Sequence, residues 1–302
     1  MTSSTSADRV GLRPYIDGHS HIGDTINRVP PCGQTPEKFL GRMAESGIIA
    51  ALFCPAGGGP QARGVLDTRD QHTVIATACR RYPRRFPIGL AIFEMRQQQA
   101  GVDEIARAMD EDGLLGFMCH PSFSAHSLGP ELEPALDVVD ARGGIALLHA
   151  MGGPTEAQIA AHARQFRRTT FIAVHVSMRA EQHRTAIQAL AGLENVWFDF
   201  AQHPASADTS WDIADLVRGF GPERLLFGSD SPYYDHRLLQ RQIEAAPLDD
   251  AIKDRIAWRN AADLIERFRP DWRPDFELPA VPAEFVGTDL WEELPGKPGR
   301  LR

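Results

Sequence analysis

The chain has 302 residues, 43% hydrophobic and 24% charged, the balance of a folded globular protein rather than a disordered one. Thirty-two basic against 40 acidic side chains leave a net charge of −8, which argues against a nucleic-acid surface, and no run of about 18 apolar residues exists to span a membrane. The first dozen residues hold no apolar core of signal-peptide length, and Cys32, Cys54, Cys79 and Cys119 form no CxxC pair. The expectation is a reduced, cytoplasmic chain of enzyme size, without a disulfide framework or a cysteine zinc site.

Along the chain one alternation repeats. Strand-like runs begin at Tyr15 (YIDGHSHI), Ile48 (IIAALFCP), Phe86 (FPIGLAIF), Leu114 (LLGFMCHP), Ile145 (IALLHAM), Thr169 (TTFIAVHVSM), Asn195 (NVWFDFA) and Arg224 (RLLFGSDSP). Helix-like stretches separate them. TPEKFLGRMAESG starts with Thr35 as N-cap and Pro36 in the first turn, and PELEPALDVVDARGG closes on Gly143. Short buried runs joined by amphipathic helices predict βα units and a parallel sheet. Eight such units fit an α/β protein built as a (β/α)8 TIM barrel better than an open sheet, and no GxGxxG turn supports the latter.

Asp249 to Phe268 reads as one closing helix. Beyond it the chain is Pro-rich and carries Trp272, Phe276, Phe285 and Trp291, so the expected organisation is a terminus (1–14), a barrel (15–268) and an aromatic arm (269–302). The arm is expected to dock on the barrel or on a second copy, making a homodimer.

In a barrel, groups at the C-terminal ends of the strands face the active-site mouth. This chain places His19 and His21, His120, His149, His175, Asp199 and Asp230 there. Strand side chains alternate faces, so His19 and His21, two apart, share one face and can ligate a single ion. The remaining ligands must come from other strands, as His149 and Asp230 would. A lone strand histidine is usually structural; several converging from different strands have no packing rationale, because buried polar groups need partners. His72, His126, His162, His183 and His236 fall in helices or loops and are expected to be solvated, while His203 is unassigned.

In this order, IDGHSH, GFMCHP, IALLHAM, FIAVHVSM, NVWFDFA and LLFGSDSP resemble the amidohydrolase superfamily, and within it the amidohydrolase-2 branch that includes aminocarboxymuconate-semialdehyde decarboxylase. RRYPRRFPIGLAIF and NAADLIERF are similar to its third-strand region and closing helix, so the resemblance covers Tyr15 to Phe268. It implies that His19, His21, His149 and Asp230 hold a divalent metal, that His175 orients or polarises the substrate, and that His120 lines the pocket. Ser177 and Met178 depart from the glycines usual after the sixth-strand histidine, and IFEM (Ile92–Met95) replaces the usual Asp-Pro.

Binuclear amidohydrolases bridge their metals with a carboxylated lysine. Here the lysines are Lys38, Lys253 and Lys297, none on a predicted strand, so a single ion is expected. Imidazoles plus one carboxylate suit Zn2+ and tolerate Mn2+ or Fe2+. Arg63, Arg69, Arg179 and Arg237 are candidates to bind a carboxylate of a small-molecule substrate, and Tyr233 and Tyr234 to close the mouth. Gly57 to Pro60 (GGGP) lacks a following Lys-Ser/Thr and reads as a rim loop; Cys54 and Cys119 read as inert buried thiols. The leading expectation is hydrolysis of a small lactone, amide or C–C linked carbonyl by metal-activated water, with Asp230 as general base. Its alternative is non-oxidative decarboxylation of an aromatic or unsaturated acid. His149-Ala150 replaces the His-Pro common among the decarboxylases and leans towards hydrolysis.

Overall fold

Strand β1 (Tyr15–Asp24) is buried over eight of its ten residues, which its neighbours on both edges explain. The computed structural model describes residues 13–24, 33–58, 62–124, 127–150, 152, 154–176, 180–201 and 210–291. Within them, after β1, lie β2 (Gly33–Gln34), β3 (Ile48–Pro55), β4 (Ile88–Gly89), β5 (Ala91–Ile92), β6 (Gly116–Cys119), β7 (Ile145–His149), β8 (Thr170–Val174), β9 (Val196–Asp199) and β10 (Leu225–Leu226). One sheet runs β2-β1-β3-β4 and another β10-β9-β8-β7-β6-β5. Every pairing is parallel except β1 with β2, a short antiparallel addition that the sequence did not announce.

The expected third strand is split in two at Leu90. Its first half pairs with β3 and its second with β6, so the residue between them is where the chain changes partners. Hydrogen bonds cross this seam, from Leu90 N to Phe53 O (3.0 Å) and from Leu115 N to Gly89 O (3.0 Å). At the opposite seam Gly18 N donates to Phe227 O (2.7 Å), Asp230 N to His19 O (2.8 Å) and His21 N to Ser231 O (2.6 Å).

The period-two pattern of the strands sorts the core into two clusters. Ala146 and Leu148 pack outward with Phe117, Phe171 and Phe198 against helices. Ile145 and Leu147 pack with Ile16, Leu52, Met118, Ile172 and Leu226, contributed by both sheets. Gly89 permits the close approach of helix Val65–Arg81, since a Cβ there would sit 2.7 Å from Cys79 Sγ and from Ile75 Cγ2.

Thr35 caps helix Pro36–Ser46 by accepting from Lys38 N (3.1 Å), and Gly143 ends helix Glu133–Arg142 with φ 63°, as the sequence predicts. The closing helix differs from expectation. Asp250–Asp254 and Asn260–Phe268 are α-helical, but Arg255–Arg259 between them forms a π turn. The widened turn releases the Ile256 carbonyl, which accepts from Phe227 N (3.0 Å), and Asn260 Nδ2 bonds Pro222 O and Leu225 O. The helix is thus tied to the last strand through its irregularity.

The described part of the arm docks on its own chain. Trp272 is buried and its Nε1 donates to Arg84 O (3.1 Å); Asp275 takes both Arg84 and Arg85. Leu290 and Trp291 bury against Arg42 and His236, while Phe276 stays 55% exposed.

Candidate metal centre

Four imidazoles and one carboxylate meet at the C-terminal ends of the strands. His19 and His21 share a face of β1, and their Nε2 atoms lie 3.1 Å apart. His21 Nε2 is 3.0 Å from Asp230 Oδ1, and His19 Nε2 is 3.7 Å from the same oxygen. The rings of His149 and His175 lie 5.3 and 5.1 Å from that of His19. Two sets, His19–His21–His149 and His19–His175–Asp230, each bring one ligand atom per residue within 4.8 Å of one another. All five side chains are buried.

The backs of the rings decide their chemistry. Nδ1 of His21, of His149 and of His175 each faces a carbonyl oxygen at 3.1 Å, those of Pro55, Cys119 and Ala201. A carbonyl only accepts, so each Nδ1 carries the proton and each Nε2 presents a lone pair inward. His19 Nδ1 lies 2.7 Å from the Asp199 carboxylate, a close contact off the hydrogen-bond line whose negative charge favours the proton on the same nitrogen. Among the described residues the cluster therefore directs ring nitrogens and one carboxylate oxygen at a common point. Separations of 3.0–3.1 Å suit either a shared proton or neighbouring ligands of one ion. A divalent metal fits this donor set, and hydrogen bonds from the far ring nitrogen are the usual means of orienting metal-binding histidines.

The local electrostatics differ between the rings: at His21 burial is outweighed by Cys54 and Asp230, which raise its pKa well above the ordinary value, whereas His149 and His175 are held neutral. Burial, then the neighbouring imidazoles, hold His149 well below the ordinary histidine pKa, keeping it neutral. Burial also lowers His175, against the pull of Asp230. Burial would raise the Asp230 pKa, but contact with His21 and the imidazoles around it hold the group below the ordinary range, as a carboxylate.

Two of the five ligand candidates owe their direction to the backbone. Strand parity puts Ile172 and Val174 inward and would turn His175 outward, but its φ of 64° swings it in. Asp230 has φ 56°. Left-handed backbone is uncommon for such residues, and among the described non-glycine residues it occurs at His175, Asp230 and Gln98.

His120 stacks between Phe123 and His149, each with ring centroids 4.2 Å away, and burial with the nearby imidazoles lowers its pKa to about 3. It is a neutral wall of the site. Tyr233 packs edge-on to His21 at 5.5 Å with its hydroxyl towards Gly57 O, and Gly57 itself lies against Phe123. Tyr234 is half-buried.

Arg63, Arg69 and Arg237 pair with carboxylates outside the cluster. Arg63 leaves 59% of its side chain exposed and pairs with Asp67 and Asp70. Arg69 pairs with Glu104, and Arg237 pairs with Asp235 and lies over the Trp291 ring. Arg179, Ser177, Met178, His126, His203, Gly59 and Pro60 lie outside the described residues, as does the side chain of His183.

Three histidines expected in solvent are buried instead. His72 lies between Glu104 and the backbone of Ile92, His162 bonds Leu128 O (2.8 Å), and His236 contacts Ser46 Oγ (3.0 Å). Each sits on the inward face of its helix, where a backbone or side-chain partner offsets the desolvation. Cys54 and Cys119 are buried, as expected; Cys54 Sγ lies 3.3 Å from His21 Nδ1, and burial pushes the Cys119 pKa up.

Sequence reading passed over two supports. Asp17, two residues before His19, accepts from Ser229 N (2.9 Å), Ser229 Oγ and His19 N (3.2 Å), joining β1 to the turn that carries Asp230. Burial raises its pKa to about 7 despite those bonds. Gln34 on β2 donates to His21 O (2.6 Å) and accepts from Arg42 (2.6 Å) and Ser231 Oγ (3.1 Å). The i, i+2 parity of Asp17, His19 and His21 was the available signal for the first; nothing local marks the second.

The amidohydrolase-2 family model, described as amidohydrolase, matches residues 16–267. The chain belongs to this family. Among solved structures, this family member is similar to 2,6-dihydroxybenzoate decarboxylase from Rhizobium, with 16% identity, TM-score 0.64 and coverage of 85% of this chain and 99% of that one. Similar too is 5-carboxyvanillate decarboxylase from Sphingomonas paucimobilis, with 15% identity, TM-score 0.63 and coverage of 84% and 99%. A third is dihydroxybenzoic acid decarboxylase from a Polaromonas species, solved with manganese and 2-nitroresorcinol, with 16% identity, TM-score 0.64 and coverage of 84% and 97%. At these identities the likeness shows a common fold. No curated protein matches.

Proposed function

We propose that this amidohydrolase-family chain is a metal-dependent carboxy-lyase that removes CO2 from an aromatic or unsaturated carboxylic acid. The observation that carries the reading is the gathering of His19, His21, His149, His175 and Asp230 in two overlapping sets whose ligand atoms lie within 4.8 Å of one another. The decarboxylases sharing the fold support lyase chemistry over hydrolysis, and manganese in one of them supports Mn2+ beside Zn2+ as the ion. The hydrogen bonds across both sheet seams, with inward residues of both sheets in one cluster, support a closed (β/α)8 barrel over 15–268.

His19, His21, His149 and Asp230 would hold the ion. When bound, it supplies positive charge that orients substrate oxygens and stabilises the negative charge developing on them. The protein's own groups manage the proton. The C–C bond to the carboxylate breaks, and a proton must replace it on carbon. His175 Nε2 and Asp230 Oδ1 are the atoms placed to hold that proton: His175 turns its Nδ1 to Ala201 O, and Asp230 Oδ1 lies 3.0 Å from His21 Nε2. Neutral His120, packed between Phe123 and His149, borders the cluster on one side, and Tyr233 borders it beside His21.

Hydrolysis of a lactone, amide or C–C linked carbonyl, with Asp230 as base, is the second reading. The observation that favours it is at Ala150, whose N–H donates to Val174 O (3.0 Å), a bond that the proline common in the decarboxylases could not make. The test loads the protein with Mn2+ or Zn2+ and measures CO2 release over hydroxylated aromatic acids against ring opening of small lactones. CO2 release that Asp230→Asn abolishes supports the first reading; lactone turnover without CO2 release supports the second.

A further inference from the structure

Asp199 is fully buried at the end of β9 and touches three parts of the site at once. Its Oδ2 lies 2.7 Å from His19 Nδ1. Its Oδ1 accepts the backbone N–H of His175 (3.1 Å) and of Ala201 (2.8 Å). Those two amides are themselves coupled, because the Ala201 carbonyl takes the Nδ1–H of His175 (3.1 Å). One carboxylate therefore sets the tautomer of a ring on β1 and the left-handed backbone that turns a ring on β8 into the same cluster.

The packing around it is built for a carboxylate at this spot. A Cβ at Gly228 would come 2.3 Å from Asp199 Oδ2 and 3.0 Å from His19 Cβ, so the last strand must present a glycine there. Oδ1 of Asp199 takes two backbone N–H groups, and Oδ2 lies against the His19 imidazole.

We infer that Asp199 is the positioning residue of this site: it fixes His19 with its proton on Nδ1 and its lone pair on the ion, and holds His175 in line with it. The inference rests on the metal-dependent reading above and deepens it. A carboxylate is required because only acceptors face the Nδ1–H of His19. In Asp199→Asn the amide oxygen keeps the two backbone bonds, and the amide NH2 is left facing His19. Two donors then oppose each other. The opposition is relieved when the His19 proton moves from Nδ1 to Nε2, where it blocks the lone pair.

Two readouts test this. The first is the tautomer of His19 in chelator-treated protein, read by long-range 15N–1H correlation of the imidazoles. Wild type is expected to show Nδ1–H, and Asp199→Asn to show Nε2–H. The second is the dissociation constant for Mn2+ and for Zn2+ alone, without substrate, expected to weaken about 10–100-fold in Asp199→Asn. Gly228→Ala, which displaces the carboxylate without changing it, is expected to weaken metal binding in the same direction. A wild-type His19 protonated on Nε2 overturns the inference even if no variant folds. So does an Asp199→Asn protein with unchanged tautomer and metal affinity. Should wild type bind neither metal, the functional reading fails, and the tautomer comparison still decides the role of Asp199.

Discussion

Glu104 Oε1 lies 3.0 Å from His72 Nδ1, and Nε2 of the same imidazole accepts the N–H of Ile92 at 3.0 Å. The pair clamps helix Gln99–Asp110 and helix Val65–Arg81 to β5, the second half of the strand that breaks at Leu90. Arg69 and Arg107 complete the shell around Glu104.

Acid is therefore expected to loosen this corner first. Burial would raise the Glu104 pKa, but hydrogen bonds from His72, Arg107 and Arg69 outweigh it and hold the group well below its ordinary 4.5. Below pH 4.5 the unfolded chain takes up a proton that the folded one refuses, so the stabilisation present above that pH is lost as pH falls. Thermal unfolding from pH 6 to pH 3 should show a falling midpoint. Glu104→Gln should flatten that fall and cost about 3–5 kcal/mol at neutral pH, as for a broken buried pair. An unchanged acid slope in the variant would count against the clamp.

The ligand set divides by effect. His19→Ala, His21→Ala and His149→Ala are expected to lose metal and activity together. Asp230→Asn keeps an oxygen donor but not a base, so metal is partly retained while turnover falls about 10²-fold or more. His175→Asn is expected to keep the metal and lose turnover. Metal content and rate measured on the same samples decide each case, and a His175→Asn protein emptied of metal would place that residue among the primary ligands.

Metal should also stabilise the fold. An ion bound only by the folded chain adds about 2.7 kcal/mol at a hundredfold excess over its dissociation constant. Calorimetric scans of chelator-treated protein with and without Mn2+ or Zn2+ should differ accordingly, and His149→Ala should erase the difference. Equal midpoints with and without ion in wild type would refute it.

The arm is expected to behave as part of the core. Trp272 and Trp291 are buried against the rest of the chain, the latter with its Nε1 bonded to Glu45. Trp272→Ala or Trp291→Ala should each cost about 3–5 kcal/mol, as for large buried aromatics. Denaturant titration measures it; a loss below 1 kcal/mol in both would show the arm to be loosely held.

Part of the site was legible from strand parity. His19 and His21 fall two apart and so share a face, and His149 continues the inward series Ile145 and Leu147. The buried His72, His162 and His236 were not legible. On a helix the same residue type faces solvent or core according to what packs above it, and their partners, Glu104, the Leu128 carbonyl and Ser46, are 32, 34 and 190 residues away.

By itself the sequence determined the strand and helix order, the family and which donor types gather at one end of the strands, because apolar periodicity and cap residues act over a few neighbours. Only the tertiary structure decided that His175 turns inward, that the closing helix opens into a π turn at Arg255–Arg259, and that Arg63 is spent on Asp67 and Asp70. The same holds for Asp199, which stands behind His19 across 180 positions of chain. A hydrogen bond is satisfied by whichever donor or acceptor packing brings within 3 Å, and that proximity is set by how distant strands and helices pack rather than by any local pattern.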